Sequence, residues 1–206
     1  MTRIFYGWAT PNSQRVAILL EELGLPYAAR GVNIRRREQF APEVLALNPY
    51  GKVPILVEEG VAMFESGAIL LHLAEREGRF WPAPGPERAA ALPWLMLVLT
   101  GLGPATGQAH HWTELAPEKP EAARAHAVAA VTRLYAVLED RLAHSPHLAG
   151  EAYTIADIAA WPWIAKHAWA EQDLARRPAL AAWFARIGER PAVQRGMRVP
   201  AGAVLA

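Results

Sequence analysis

Gly51-Lys52-Val53-Pro54-Ile55-Leu56-Val57-Glu58-Glu59-Gly60-Val61-Ala62-Met63-Phe64-Glu65-Ser66 holds a strand, a turn, a returning strand and the opening of a helix. Ile55-Leu56-Val57 is a short apolar run behind a proline. Glu58-Glu59-Gly60 supplies a hairpin turn, and Val61–Phe64 is the antiparallel return. Ser66–Glu77 is the next helix, stopped by Gly78. A hairpin followed by a helix needs further strands and helices to bury it, so the flanking sequence decides the fold.

Working outward, Arg3–Tyr6 is a short strand and Gly7-Trp8-Ala9-Thr10-Pro11-Asn12 a loop. Val16, Leu19, Leu20 and Leu23 then fall at helical spacing. Gly24 and Pro26 end that helix, and Tyr27–Ile34 reads as a second strand. The order β-α-β, a helical or loop excursion, then β-β-α predicts a thioredoxin-like α/β domain over residues 1–78. The Pro-rich stretch 79–87 reads as a linker. From 88 to 206 strand signals are absent, and an all-helical domain is expected, with helices near 88–115, 119–144, 154–169 and 178–189. Gly196–Ala206 reads as a loosely held extension. Thr154-Ile155-Ala156-Asp157 fits a capping box with Asp in place of Glu.

Composition narrows the chemistry. Hydrophobic residues make up 52% and charged residues 20% of the 206, enough for a buried core. The formal net charge is +1, and the one basic cluster, Arg35-Arg36-Arg37, runs straight into Glu38. That is a solvated loop, so no nucleic-acid partner is expected. Cysteine is absent from the chain, which excludes both a disulfide framework and a protein thiol nucleophile. Any sulfur chemistry must therefore use a thiol brought by a ligand. The first residues lack a signal-peptide pattern, so a cytoplasmic location is expected. Ala89–Ala109 carries no charged side chain, which raises the question of a membrane span. Pro93, Gly101, Gly103, Pro104 and Gly107 interrupt it, and it reads instead as a buried bundle helix, with no membrane partner.

Three short segments could carry a site. Val53-Pro54 precedes a strand; a cis bond there would leave the Val53 backbone facing an extended ligand, whereas a trans proline would merely open an edge strand. Glu65-Ser66 stands at a strand-to-helix junction. The helix start suits a carboxylate and the Glu an ammonium, so the pair suits an α-amino-acid head group, although simple capping is an alternative. Thr10-Pro11-Asn12 also opens a helix, where a thiol would ionise more readily; Thr and Asn are equally good caps. Tyr6 reads as core rather than as an acid. The seven histidines give no metal-ligand spacing, and no metal is expected. Trp161, Trp163 and Trp169 read as bundle core.

In this order the segments 13–27, Asn-Pro-Tyr-Gly-Lys-Val-Pro (48–54), Phe-Glu-Ser-Gly-Ala-Ile-Leu-Leu-His-Leu-Ala-Glu (64–75), Tyr-Thr-Ile-Ala-Asp-Ile-Ala (153–159) and Arg-Pro-Ala-Val (190–193) resemble the glutathione transferases. The likeness covers nearly the whole chain. Thr-Pro-Asn at 10–12, Gly-Gln-Ala-His-His-Trp at 107–112 and Ile-Ala-Ala-Trp-Pro-Trp at 158–163 look like the nu class, the bacterial glutathione-dependent disulfide-bond oxidoreductases.

The resemblance implies the glutathione-transferase fold, a homodimer, and glutathione as cosubstrate, reduced or as the disulfide. Carried over by position, Thr10 and Asn12 would lie near the glutathione sulfur. Val53, with Pro54, would pair with the cysteinyl backbone. Glu65 and Ser66 would hold the γ-glutamyl end. Gln39 would sit by the glycyl or backbone part of the ligand with Lys52 close by, and Arg133 would reach across the dimer or cleft towards a carboxylate. Other classes activate the thiol with Tyr, Ser or Cys, and this chain offers Thr and Asn instead. The implied activity is reduction of small disulfides by glutathione. Conjugation or peroxide reduction is an alternative, with Leu95–Leu99, Trp112 and Trp163 as an apolar wall. A non-enzymatic glutathione-binding regulator is another.

Overall fold

The computed structural model describes residues 2–201. These form two compact units. One runs to Trp81 and takes in the segment from Glu189 onward; the other is Pro82–Gly188.

The first unit is built on a four-stranded sheet. Its strands are β1 (Arg3–Gly7), β2 (Ala28–Gly31), β3 (Ile55–Glu58) and β4 (Val61–Phe64), in the order β2-β1-β3-β4. β1 and β2 run parallel, joined through helix α1 (Pro11–Leu23), while β3 is antiparallel to both β1 and β4. Phe5 pairs with Leu56 and Tyr6 with Ile55. Side chains alternate across a strand, so Phe5 and Leu56 face one side and Tyr6 and Ile55 the other. Phe5 and Leu56 are buried together with Val16, Leu19 and Leu20 of α1 and Ile69, Leu70 and Leu73 of helix α3 (Ser66–Glu77). On the opposite side Val32, Val44 and Ile55 form a second cluster, with Tyr6, Val53 and Val57 packed against it. Tyr6 is therefore a packing residue, as its strand position predicted. At the far end of the hairpin Glu58 receives Arg3 and Arg76. Burial pushes its carboxyl up, but the hydrogen bonds from Arg76 and Arg3 overcome this and hold it below the usual range.

The second strand is shorter than predicted. It ends at Gly31 because Asn33 turns the chain, its Oδ1 accepting from the amides of Arg35 and Arg36. A short 3-10 turn, Glu38–Phe40, and helix α2 (Pro42–Leu45) complete the excursion to β3.

In the second unit a continuous helical stretch, Pro86–Leu115, comprises α4 (Pro86–Met96), a π-helical stretch Leu97–Leu102, α5 (Gly103–His110) and a second π stretch, His111–Leu115. Pro104 has no N–H to offer the preceding turn, and the first π stretch ends beside it, so the ladder widens instead of breaking. By length and composition this helix could cross a membrane. Here Ala91, Leu95, Val98, Leu102 and Ala109 are buried within its own unit, which also contains α6 (Glu121–Ala143), α7 (Ile155–Ile164) and α8 (Pro178–Gly188). The predicted helix 154–169 is broken after Ile164, and Trp169 belongs to a separate 3-10 turn, His167–Ala170. Thr154 caps α7 in a reciprocal box with Asp157. The Asp157 carboxylate also accepts from Leu148 N and Trp183 Nε1, each at 2.9 Å.

The end of the chain departs from the expected 88–206 domain. Helix α9 (Pro191–Gly196) packs on α1 of the first unit. Gly196 makes this possible: a Cβ there would stand 2.6 Å from Ile18 Cα and N. Arg190 pairs with Glu22, Arg195 with Glu21, and Gln14 Nε2 donates to Met197 O. The segment up to Ala201 is thus held, not loose; the rest of the expected extension lies outside the described residues.

Candidate functional site

Strand register collects the site segments. Tyr6 pairs with Ile55 and Ile55 with Phe64. Continued by one residue, that register sets Gly7, Pro54 and Glu65 in a row across the end of the sheet. β2 ends there too, since Gly7 pairs with Gly31. The loop into α1, the start of β3 and the start of α3 therefore all lie at one end of the sheet.

Thr10 is the N-cap of α1. Its Oγ1 accepts from Ser13 N at 3.2 Å, and its hydroxyl donates to Ser13 Oγ at 3.1 Å. Ser13 Oγ also accepts from Trp8 N. The Thr10 hydrogen is thereby directed at Ser13, and half-buried Asn12 stands in the first turn of α1 between them.

Val53-Pro54 is a cis peptide. Neither the amide nor the carbonyl of Val53 takes part in the hydrogen bonds among the described residues. The loop ahead of it is shaped by buried Asn48, whose Nδ2 donates to Lys52 O and whose Oδ1 accepts from Tyr50 N. Gly51, at φ 65°, lies against the Phe40 ring, which a Cβ would approach to 2.8 Å. That contact brings the 38–40 turn beside Lys52-Val53. Gln39 Oε1 is buried there without a partner, a condition native proteins rarely leave unmet. Lys52 is exposed, its Nζ 5.5 Å from the Tyr50 ring centre.

Glu65 caps α3 with φ 68° and ψ 110°, an unusual backbone state for a residue with a Cβ. Its side chain is exposed, whereas Ser66 is buried. Beneath them lies a residue to which the sequence reading gave no role. Arg15 is 2% exposed, its Nη1 is 3.5 Å from Ser66 Oγ, and its Nε has no partner. Burial lowers its pKa to about 9, with Glu65 acting to raise it, so it remains charged at neutral pH. A signal was present: Arg15 precedes Leu19 by one helical turn and so lies on the apolar side of α1.

Arg133 belongs to the other unit, exposed on α6. The proposed apolar wall is corrected there. Trp163 is 8% exposed and lies over Gly103, while Leu95 and Val98 are wholly buried. Trp112 instead lines a groove of about 330 Å³ with Ala105, Gln108, Ala123, His126 and Ala127.

A thioredoxin-like sheet that gathers two helix starts, the unpaired Val53 backbone and the Glu65-Ser66 pair at one end offers donors and acceptors suited to a small extended polar ligand. The comparisons show the family. Residues 9–76 match the glutathione S-transferase N-terminal domain and residues 92–191 the C-terminal domain. The chain is 43% identical to the disulfide-bond oxidoreductase YfcG of Escherichia coli, covering 93% of each. It superposes on a glutathione transferase family member from Pseudomonas fluorescens with two glutathione bound, at TM-score 0.92 and 34% identity, covering 97% of this chain and 93% of that one. A glutathione transferase from Pseudomonas putida with one glutathione disulfide bound per subunit matches at TM-score 0.90 and 33% identity, covering 97% and 92%. The chain belongs to the glutathione S-transferase family.

Proposed function

We propose that this protein is a glutathione-dependent thiol–disulfide oxidoreductase that reduces small disulfides. The observation that carries the proposal is the meeting of the unpaired Val53 backbone, Glu65-Ser66 and two helix starts at one end of the sheet, in a chain without cysteine. Glu65 and Ser66 hold the γ-glutamyl end, the Val53 backbone pairs with the cysteinyl residue, and Gln39 and Lys52 face the glycyl part. Arg133 is assigned to a ligand carboxylate. The sulfur then falls near Asn12 and the start of α1, where the helix end favours thiolate; Thr10 sets that loop through its cap.

Both reacting sulfurs come from ligands. A glutathione thiolate attacks one sulfur of the disulfide, expelling a thiolate that takes up a proton. A second glutathione thiolate attacks the mixed disulfide and releases the second thiol together with glutathione disulfide. Relatives that hold two glutathiones or one glutathione disulfide support a site with room for both. The protein contributes orientation and thiolate stabilisation. A homodimer is part of the proposal, and sedimentation of the purified chain tests it.

The deciding experiment is reduction of bis(2-hydroxyethyl) disulfide by glutathione with recombinant protein. Acceleration over the uncatalysed exchange is expected; its absence overturns the reading. A parallel panel of aryl halides and hydroperoxides should give lower kcat/KM, and the reverse ranking would favour conjugation or peroxide reduction. Tight glutathione binding with no turnover on either panel would favour a regulator.

A further inference from the structure

The chain end returns to α1, the helix that opens the site, and the proposed exchange gives that return no role. Arg190 and Arg195 pair with Glu22 and Glu21, and Gly196 lies against the Ile18 backbone. Beyond Gly196 two further contacts reach the end of the sheet. Gln14 Nε2 donates to Met197 O at 3.2 Å. Pro200 Cγ and Trp8 Cζ3 each stand 3.8 Å from the place a Gly31 Cβ would take, so the chain end and the loop before α1 flank the last residue of β2.

Gln14 is 4% exposed and stands in the first turn of α1. A carbonyl only accepts, so the amide must turn Nε2 to Met197 and keep Oε1 away from it. Oε1 is then buried without a partner, a cost that a solvated side chain would not carry. Met197 caps α9, where the last carbonyls lack partners within the helix. The bond thus ties the end of one helix to the start of another, 183 positions apart in the chain.

Gln14 and Asn12 are two positions apart and project from different sides of α1. What they share is the turn itself, in which Gln14 N donates to Thr10 O at 2.9 Å. Thr10 N donates in turn to Trp8 O at 2.7 Å, and Trp8 N to Ser13 Oγ. A shift of the turn therefore moves the loop with it. Misplacing a reacting group by about 1 Å can cost about a hundredfold in rate.

We propose that Gln14 is a positioning residue for the sulfur end of the site: held from behind by Met197 O, it fixes the first turn of α1 and through it Asn12. This rests on the assignment of the glutathione sulfur to Asn12 and the start of α1. The rival role is purely structural, in which Gln14 secures the chain end and leaves the chemistry alone.

The test compares wild type with Gln14→Met, which keeps an unbranched side chain but cannot donate, and with Gly196→Ala, which loosens the same strap at another point. Thr154→Ala, a cap lost in the other unit, controls for stability. Affinity for S-methylglutathione, which has no thiol to ionise, is measured by calorimetry. Steady-state disulfide reduction and ultraviolet titration of the bound glutathione thiol complete the set, all below the unfolding range of every variant. Gln14→Met should leave S-methylglutathione affinity within about twofold and lower kcat about fivefold or more. Its bound glutathione thiol should titrate at higher pH than in wild type, because a displaced helix start stabilises thiolate less. Gly196→Ala should show the same split, and Thr154→Ala should match wild type in kcat and thiol titration. In an Asn12→Ala background Gln14→Met should cost clearly less kcat than in wild type, because the group it places is gone. An unchanged kcat and titration in Gln14→Met, a loss of S-methylglutathione affinity as large as the loss of kcat, or a fully additive loss with Asn12→Ala overturns the proposal. If Gln14→Met does not fold, Gly196→Ala decides on the same criteria. A wild type that binds glutathione without reducing disulfides removes the oxidoreductase reading and leaves the thiol titration to decide the role of Gln14; a wild type that binds no glutathione overturns both.

Discussion

Glu65 holds a backbone conformation, φ 68° and ψ 110°, that a residue with a Cβ adopts at a cost of roughly 1–3 kcal/mol. Glycine takes such angles without that cost. Glu65→Gly should therefore give a more stable unliganded protein than Glu65→Ala, by about 1 kcal/mol in denaturant unfolding, while both lose glutathione affinity. A Glu65→Gly variant no more stable than Glu65→Ala would mean that the conformation is not strained. Asn12 makes a different prediction. If it acts on the sulfur, Asn12→Ala lowers kcat more than it raises the KM for glutathione, since the interaction strengthens as the thiolate reacts; equal changes in both would remove it from the reactive end. The cap at Thr10, the Val53-Pro54 junction and the helix start at Glu65-Ser66 could be read from sequence because they are local signals; their roles toward a ligand belong to the proposed function. Arg15 was not read, because a charged residue on a helix is ordinarily taken as solvated. Its place one turn before Leu19 sets it on the apolar side of α1, but its full burial follows from the packing of α1 against α3, which the helical period alone does not state.

Elements are positioned by small numbers of decisive contacts. The dock of α9 on α1 depends on Gly196, where a methyl group would collide with the Ile18 backbone. Gly196→Ala should cost about 1–3 kcal/mol, the usual range for overpacking. Gly101 is the contrast, since an added Cβ there meets Leu134 Cδ2 at an ordinary 3.5 Å. Gly101→Ala should be neutral or raise stability by up to about 1 kcal/mol through helix propensity. Thermal unfolding of both variants checks the pair, and a destabilised Gly101→Ala would contradict the spacing. The α7 box is graded in the same way. Thr154→Ala loses one cap, about 1 kcal/mol. Asp157→Ala strands the amides of Leu148 and Thr154 and the Trp183 indole N–H, and at about 1–3 kcal/mol for each buried orphan it should cost far more. The capping box was legible because its residues are neighbours in sequence. The reach of Asp157 to Leu148 and Trp183 was not, because those partners come from a loop and from α8. The end of α7 was misplaced for a related reason: apolar content continues through Trp169, while the backbone turns at Ala165.

At the scale of the whole molecule the sequence order of strands and helices was enough for the sheet, because βαβ and ββα units leave few ways to pair. It did not show that the last helix returns to the first unit, since a six-residue segment has too short a period to reveal which face it buries. The composition carries the broadest chemical consequence. With no cysteine in the chain, catalysis of disulfide exchange cannot pass through a protein mixed disulfide. Protein treated with excess iodoacetamide and then freed of reagent should keep its full rate of disulfide reduction, and mass spectrometry during turnover should show no covalent glutathione adduct. The two exchange steps each consume a glutathione thiolate, so initial rates at low glutathione should rise more steeply than first order and flatten as both positions fill. A first-order rise throughout would place only one glutathione on the protein during turnover, with the second exchange occurring in solution. Loss of activity on alkylation would have to arise from another nucleophile, for which the histidines are the first candidates, and would overturn a mechanism in which the protein supplies only the environment for two ligand sulfurs.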